Sequence, residues 1–195
     1  LAGDTAAEGR VTDPGQAARA LGQFVAAMQR IDPSGGPHPG ASNSSRGVPL
    51  ATQDAETRAA IRALSGTYDA AALTAAWEAA LAAPAWHGPP VWLHGDLHAA
   101  NLLADRGRLS AVIDFGCLGV GDPACDLMVA WTYLSPDTRE VFRRELEVDD
   151  ATWARGRGWA LSMGAIALPY YHRSNPVLAA IARQAIDQAL ADQEG

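Results

Sequence analysis

Residues 94–103 read HGDLHAANLL and residues 113–116 read IDFG, so Asn101 and Asp114 follow Asp96 at intervals of five and eighteen residues. All three side chains carry hard oxygen donors. Magnesium takes one or two carboxylates or amide carbonyls and completes its octahedron with water and phosphate oxygens, a description that Asn101 and Asp114 meet. A further carboxylate, holding no metal, can accept the proton of an attacking hydroxyl, and Asp96 fits that part. Moving a phosphoryl group from ATP to a hydroxyl asks for little covalent chemistry beyond this. The competing reading is three turn residues that cap strands, where Asp and Asn are common; the joint agreement of residue type and both spacings favours the chemical one.

The segments that must position these residues change texture along the chain. Asp13-Pro14 gives a capping residue and a first-turn proline, after which Leu21, Phe24, Val25, Met28 and Ile31 recur at helical spacing. Asp32 to Pro49 is rich in Pro, Gly and Ser and reads as a long surface loop that could serve as a lid. Thr52 to Leu64 and Asp69 to Ala83 are alanine-rich and read as a helical hairpin. VWLH, NLLA and LSAVIDF are short runs with β-branched or aromatic residues and predict one small β ribbon, with Asp96, Asn101 and Asp114 at its edges. Helical periodicity then returns over about 123–134, 136–147, 150–168 and 176–191, with Ser135-Pro136 and Asn175-Pro176 as start signals. The expected fold class is α+β, mainly α-helical, with the ribbon carrying the polar loop.

Bulk properties narrow the function. A chain of 195 residues can bury one core without external staples. Its net charge of −7 argues against a nucleic-acid partner and mildly favours cationic ligands. All 15 basic residues are arginine. The two cysteines, Cys117 and Cys125, suit neither a CxxC site nor a disulfide framework and are expected to be reduced. The longest apolar stretch, WALSMGAIALPYY, is interrupted by Ser162, Gly164 and Pro169, so no membrane span and a cytoplasmic location are expected.

Protein-kinase catalytic loops run H-R-D-L, then Asn, then D-F-G. With His94-Gly95-Asp96 in place of His-Arg-Asp and the run Gly121 to Leu127, GDPACDL, following, the stretch from Val91 to Ala130 resembles the aminoglycoside phosphotransferase family of kinase-like enzymes. The resemblance implies Asp96 as the catalytic aspartate, Asn101 and Asp114 as the magnesium ligands, and Asp126 as the residue that braces the catalytic loop. It implies ATP as phosphoryl donor and a small-molecule hydroxyl, such as that of an aminoglycoside-type antibiotic, as acceptor, with antibiotic resistance as a possible consequence. His94 is expected to orient the loop rather than carry protons. Ala99-Ala100 departs from the family's Pro and small residue, which predicts a less rigid loop. The larger departure is that no G-x-G-x-x-G and no lysine occur, although the family has a nucleotide-covering loop and a phosphate-binding lysine in an amino-terminal lobe. Leu1 to Asp4 resembles the segment just after the interlobe hinge, so residues 1–195 are expected to form the helical carboxy-terminal lobe alone, inactive without its amino-terminal partner lobe.

Two other functions compete. A lobe that keeps the metal and substrate pocket but performs no transfer is the first; a zinc hydrolase built on His94, Asp96 and His98 is the second, against which Gly95 and the strand-like flanks deny the pair a helical i, i+4 arrangement. Gly116, Gly119 and Gly121 stand in the wrong order for a dinucleotide fingerprint and read as a turn feeding the next helix. Trp153, Trp159, Tyr170 and Tyr171 are expected mostly in the core or a pocket wall. Glu140, Glu145, Glu147, Asp149 and Asp150 are expected to form a solvated face, with a cationic-substrate cleft as the alternative.

Overall fold

The computed structural model describes residues 4–8 and 11–192, so Leu1 to Gly3 of the expected post-hinge segment lie outside the described residues. Side-chain caps start most of the main helices. Asp13 accepts from the Gln16 amide at 2.9 Å and starts α1 (Pro14–Gln29), whose Ala18, Leu21 and Val25 are buried. α2 (Asp54–Ala63) follows a short 3-10 turn, and Asp69 caps α3 (Ala70–Ala82), giving the expected hairpin. After a short 3-10 segment, Pro123–Met128, come α4 (Val129–Thr132), α5 (Pro136–Leu146), α6 (Asp150–Tyr171) and α7 (Pro176–Ala191). The 3-10 segment replaces the first half of the helix expected over 123–134.

The core forms where α6 meets α7, α3, α2 and the 3-10 segment, with Trp77, Trp131, Trp159 and Phe142 each at most 1% exposed. Arg139 of α5 ties the carboxy-terminal end to this core, donating to the Ala130 carbonyl at 3.0 Å and to Asp192 at 2.8 Å. No helix among the described residues is long and apolar enough to cross a membrane; the apolar run of α6 is covered by its neighbours instead.

The single ribbon expected from the sequence is two separate sheets. β1 (Asp4–Thr5), β3 (Leu102–Asp105) and β4 (Arg108–Val112) form one, in the order β1-β3-β4. β2 (Val91–Leu93) pairs antiparallel with β5 (Gly119–Gly121), Trp92 opposite Val120. Of the three glycines read as a turn, Gly116 lies in a 3-10 turn, whereas Gly119 and Gly121 are in a strand. Their lack of side chains obscured it, and close packing requires that lack: a Cβ on Gly121 would sit 2.3 Å from the Gly47 carbonyl oxygen.

That contact also corrects the lid reading of the 32–49 loop. Its carbonyls at Pro37 and Gly47 accept from the Val120 and Asp122 amides, both at 2.9 Å, so the loop covers the free edge of β5. The Trp92 indole donates to the Asp32 carbonyl at 2.9 Å, and Asn43 is buried beneath it. Its Pro, Gly and Ser content serves a close docking on backbone rather than free movement.

Candidate active site

β2 ends at Leu93 and delivers His94, which is fully buried. The imidazole Nε2 lies 3.0 Å from the Ile113 carbonyl, and Nδ1 accepts from the Asp96 amide at 3.3 Å. These contacts fit the neutral tautomer with its proton on Nε2, donating to Ile113. One ring thus joins the end of β2 to the residue before Asp114. Phe115 tilts against the same imidazole with ring centres 4.8 Å apart.

The next residue, Gly95, has φ of +81° and a neighbouring carbonyl, that of Cys117, 2.5 Å from where a Cβ would stand. Only glycine meets both demands. Its amide and that of His94 donate to the two oxygens of Asp126, at 2.7 and 2.8 Å. Asp126 is wholly buried, and burial pushes its carboxyl pKa up against the pull of those two amides. It comes from the 3-10 segment, not the first turn of an α-helix, so the two amides and not a helix dipole are what it serves. Beside it, buried Asp122 pairs with Arg155, whose Nε and Nη2 donate at 3.0 and 3.2 Å.

Asn101 closes the loop. Its Nδ2 donates to the Asp96 carbonyl at 2.9 Å and to Asp96 Oδ2 at 3.2 Å. The Asn101 carbonyl accepts from the Ile113 amide at 2.9 Å, one step beyond the Leu102–Val112 pair of the β3–β4 ladder. Antiparallel pairing therefore brings Asn101 beside the residue that precedes Asp114. Asp114 is exposed, in left-handed backbone with φ of 62°, a conformation Asp tolerates, and its Oδ1 accepts from the Gly116 amide at 3.3 Å.

Asp96 has neighbours that the spacing did not announce. His98 Nε2 lies 3.4 Å from Oδ2, and Arg46 of the 32–49 loop places Nη2 3.7 Å from Oδ1. Burial works to raise the Asp96 pKa, but the hydrogen bond and charge of His98, aided by Arg46, hold it below the usual carboxylate range. Arg46 also lies over the Trp159 ring, 5.9 Å from its centre. Fifty residues separate Arg46 from Asp96, and no local pattern marks it. Together Asp96, His98 and Arg46 border a cavity of about 510 Å³ that runs between α6 and α7.

Residues 1–159 match the sequence profile of the phosphotransferase enzyme family, APH. The chain belongs to that family. Among solved structures, this chain is similar to macrolide 2′-phosphotransferase MphH from Brachybacterium faecium, at 25% identity and a TM-score of 0.51 over 89% of this chain and 60% of that one. It shares its fold with spectinomycin phosphotransferase APH(9)-Ia, seen with ADP and spectinomycin, at 14% identity and a TM-score of 0.60 over 100% of this chain and 70% of that one. The same holds for a thermostable mutant of APH(4)-Ia in ternary complex with AMP-PNP and hygromycin B, at 21% identity and a TM-score of 0.56 over 100% and 70%. No curated protein matches the sequence. The chain spans about three fifths of the length of the macrolide phosphotransferases it matches, and its fold is α+β and mainly helical, like theirs.

Both ring nitrogens of His94 are engaged by backbone, which leaves none for zinc. Among the described residues no group of three or more His, Cys, Asp or Glu side chains is placed to hold a metal ion. The donor set of Asn101 and Asp114 is instead of the oxygen type that suits magnesium. Asn101 spends its amide nitrogen on Asp96, so its carbonyl oxygen faces away from those bonds. Four acidic residues of 140–150 are engaged away from the cavity: Glu140 and Asp150 pair with Arg144 and Arg143, Glu145 accepts from Gln23, and Asp149 caps α6.

Proposed function

We propose that residues 1–195 supply the helical lobe of an ATP-dependent phosphotransferase that moves the γ-phosphoryl group to a hydroxyl of a small molecule, with antibiotics of the aminoglycoside or macrolide kind as the reference acceptors. The observation that carries this reading is a carboxylate, Asp96, held at the mouth of a drug-sized cavity by Asn101, His98 and Arg46 on a loop that Asp126 anchors. Family membership and the nucleotides bound in related folds support ATP as the donor.

Asp96 accepts the hydroxyl hydrogen bond and aims the oxygen; because its pKa is depressed, the group is ionised at neutral pH and needs no prior deprotonation. Asn101 keeps Asp96 from turning away. Asn101 and Asp114 would hold magnesium, which when bound neutralises the phosphates. His94 and Asp126 fix the backbone on which both stand. The absence of lysine supports the reading that the phosphate-covering function lies outside these residues, the lobe by itself binding ligands without turning over. A donor of ATP type and the two free thiols, Cys125 with its pKa pushed up to about 12 by burial, fit a cytoplasmic setting.

Asp114→Asn removes one full charge from the metal ligands and should weaken magnesium-dependent ADP binding to the chain, read by calorimetry; unchanged binding would reject the metal assignment. In the protein joined to its nucleotide-binding lobe, Asp96→Asn should lower turnover by about 10²–10⁴-fold with nucleotide affinity nearly unchanged. Near-normal turnover would remove Asp96 from the mechanism.

A further inference from the structure

Arg46 differs from the two fully buried arginines. Arg139 and Arg155 donate to Asp192 and Asp122 at 2.8 and 3.0 Å. The Arg46 side chain donates no hydrogen bond to any described residue, and the carboxylate it faces, that of Asp96, keeps Oδ1 3.7 Å from Nη2, beyond hydrogen-bond length. Its Nε is closed off, but the two terminal nitrogens are not, and Arg46 lines the cavity that Asp96 borders. A fixed positive charge with unused donors therefore stands beside the group that aims the hydroxyl.

The backbone that carries Arg46 is a second, independent observation. Ser44, Ser45 and Gly47 have φ of 53°, 55° and 84°, a left-handed region that only the glycine enters freely. Hydrogen bonds hold the turn in place: the Ser45 and Arg46 amides donate to the Gly40 and Asn43 carbonyls at 2.8 and 3.0 Å. Strained backbone enforced by its surroundings gathers where a side chain has to be aimed. Here that side chain is Arg46. Its Cβ and Cγ take the room beside Gly95, 3.1 Å from where a Cβ of that residue would stand, and its guanidinium lies over the Trp159 ring.

We propose that Arg46 is a catalytic residue of the transfer, its guanidinium neutralising the phosphoryl group as that group reaches the acceptor oxygen beside Asp96. The inference rests on the reading of Asp96 as the group that aims the accepted hydroxyl. As the acceptor oxygen bonds the γ-phosphorus, its proton passes to Asp96, and the bond from phosphorus to the β-phosphate oxygen breaks, that oxygen leaving on ADP with the electron pair. Asp96 thus becomes neutral while a doubly charged phosphate monoester forms next to it. A guanidinium left 3.7 Å from its carboxylate follows the charge from one to the other with its free donors.

Asp96→Asn reproduces the neutral side chain, so the 195-residue chain with that substitution is titrated with inorganic phosphate by calorimetry, without magnesium. Adding Arg46→Met should weaken phosphate at least about tenfold, whereas adding Arg46→Lys, which keeps the charge, should weaken it less. Phosphate that binds equally with and without the guanidinium, or that fails to bind the Asp96→Asn chain, would overturn the proposal. A loss shared equally by Arg46→Met and Arg46→Lys points to packing and counts against it. In the protein joined to its nucleotide-binding lobe, Arg46→Met should lower kcat by about 10²–10³-fold with KM for ATP nearly unchanged; an unchanged kcat also rejects the role. Failure of the phosphotransfer reading shows separately, as turnover that survives Asp96→Asn.

Discussion

Two regions meet at Asp96, and their polar atoms are treated in opposite ways. In the loop from His94 to Asn101, backbone and side-chain groups pair inside the protein: two amides on Asp126, an imidazole between Ile113 and Asp96, an amide nitrogen on Asp96. In the cavity wall opposite, Trp159 Nε1 and Arg46 Nε are buried and unpaired. Apart from His98 Nδ1, the buried polar atoms of this loop are paired within the protein, which favours one geometry whether or not ligand is present, as positioning a reacting hydroxyl requires. The wall instead keeps these two donors closed off from protein partners and from solvent. One region is thus set by paired polar atoms, the other by apolar packing around two unpaired donors.

The sharpest way to break the complete side is Asp126→Ala. Two buried amides lose their acceptor together, so stability should fall by about 2–6 kcal/mol, measured by urea unfolding, and ligand binding at the cavity should fall with it. A loss under about 1 kcal/mol would show that water replaces the carboxylate and that the loop is not held as described.

A milder test moves to the helix that carries the cavity wall. Asp149 caps α6, accepting from the Thr152 amide, and Asp149→Ala should cost about 1 kcal/mol. Hydrogen bonds from the Thr152 side chain and backbone hold the Asp149 pKa below its ordinary value. Its folded value is therefore the lower one, so the stabilisation is present above about pH 4 and is lost as pH falls through the folded pKa. The alanine variant should lack that part of the acid dependence in unfolding curves recorded from pH 6 downward.

The smallest effect on stability is expected from Arg46→Met. Its ion pair with Asp96 is partly exposed and long, so stability should change by under about 1 kcal/mol. Because Arg46 borders the cavity and faces Asp96, ligand binding there should nonetheless weaken several-fold, read by calorimetry. A variant that lost stability but kept its binding would reverse the contrast between the two regions.

Much of the helical framework was legible because its signals are local. Asp13-Pro14, Ser135-Pro136 and Asn175-Pro176 each open a helix where the caps predicted one. The polar loop was legible for a related reason: Asn101 and Asp114 flank one β3–β4 hairpin, so their approach follows from a short ladder closed at Arg106-Gly107. What failed were long-range pairings. Gly119 to Gly121 carry no strand pattern, and where they pair with Val91 to Leu93 the 32–49 loop packs its Gly47 backbone and Asn43 side chain against the two glycines. The same loop, read as a lid, is fixed by bonds to residues some eighty positions away.

The sequence by itself determined the helix starts, the hairpin that joins Asn101 to Asp114 and the candidate roles of Asp96, Asn101 and Asp114, since each depends on residues close along the chain. Tertiary structure alone decided that Arg46 faces Asp96, that Asp126 receives two amides from a strand end, and that Trp159 comes to lie under Arg46 beside the cavity. The physical reason is that a lone arginine or tryptophan has no periodic or spacing signature; its partners are set by which helices pack, and that is settled by the whole core at once.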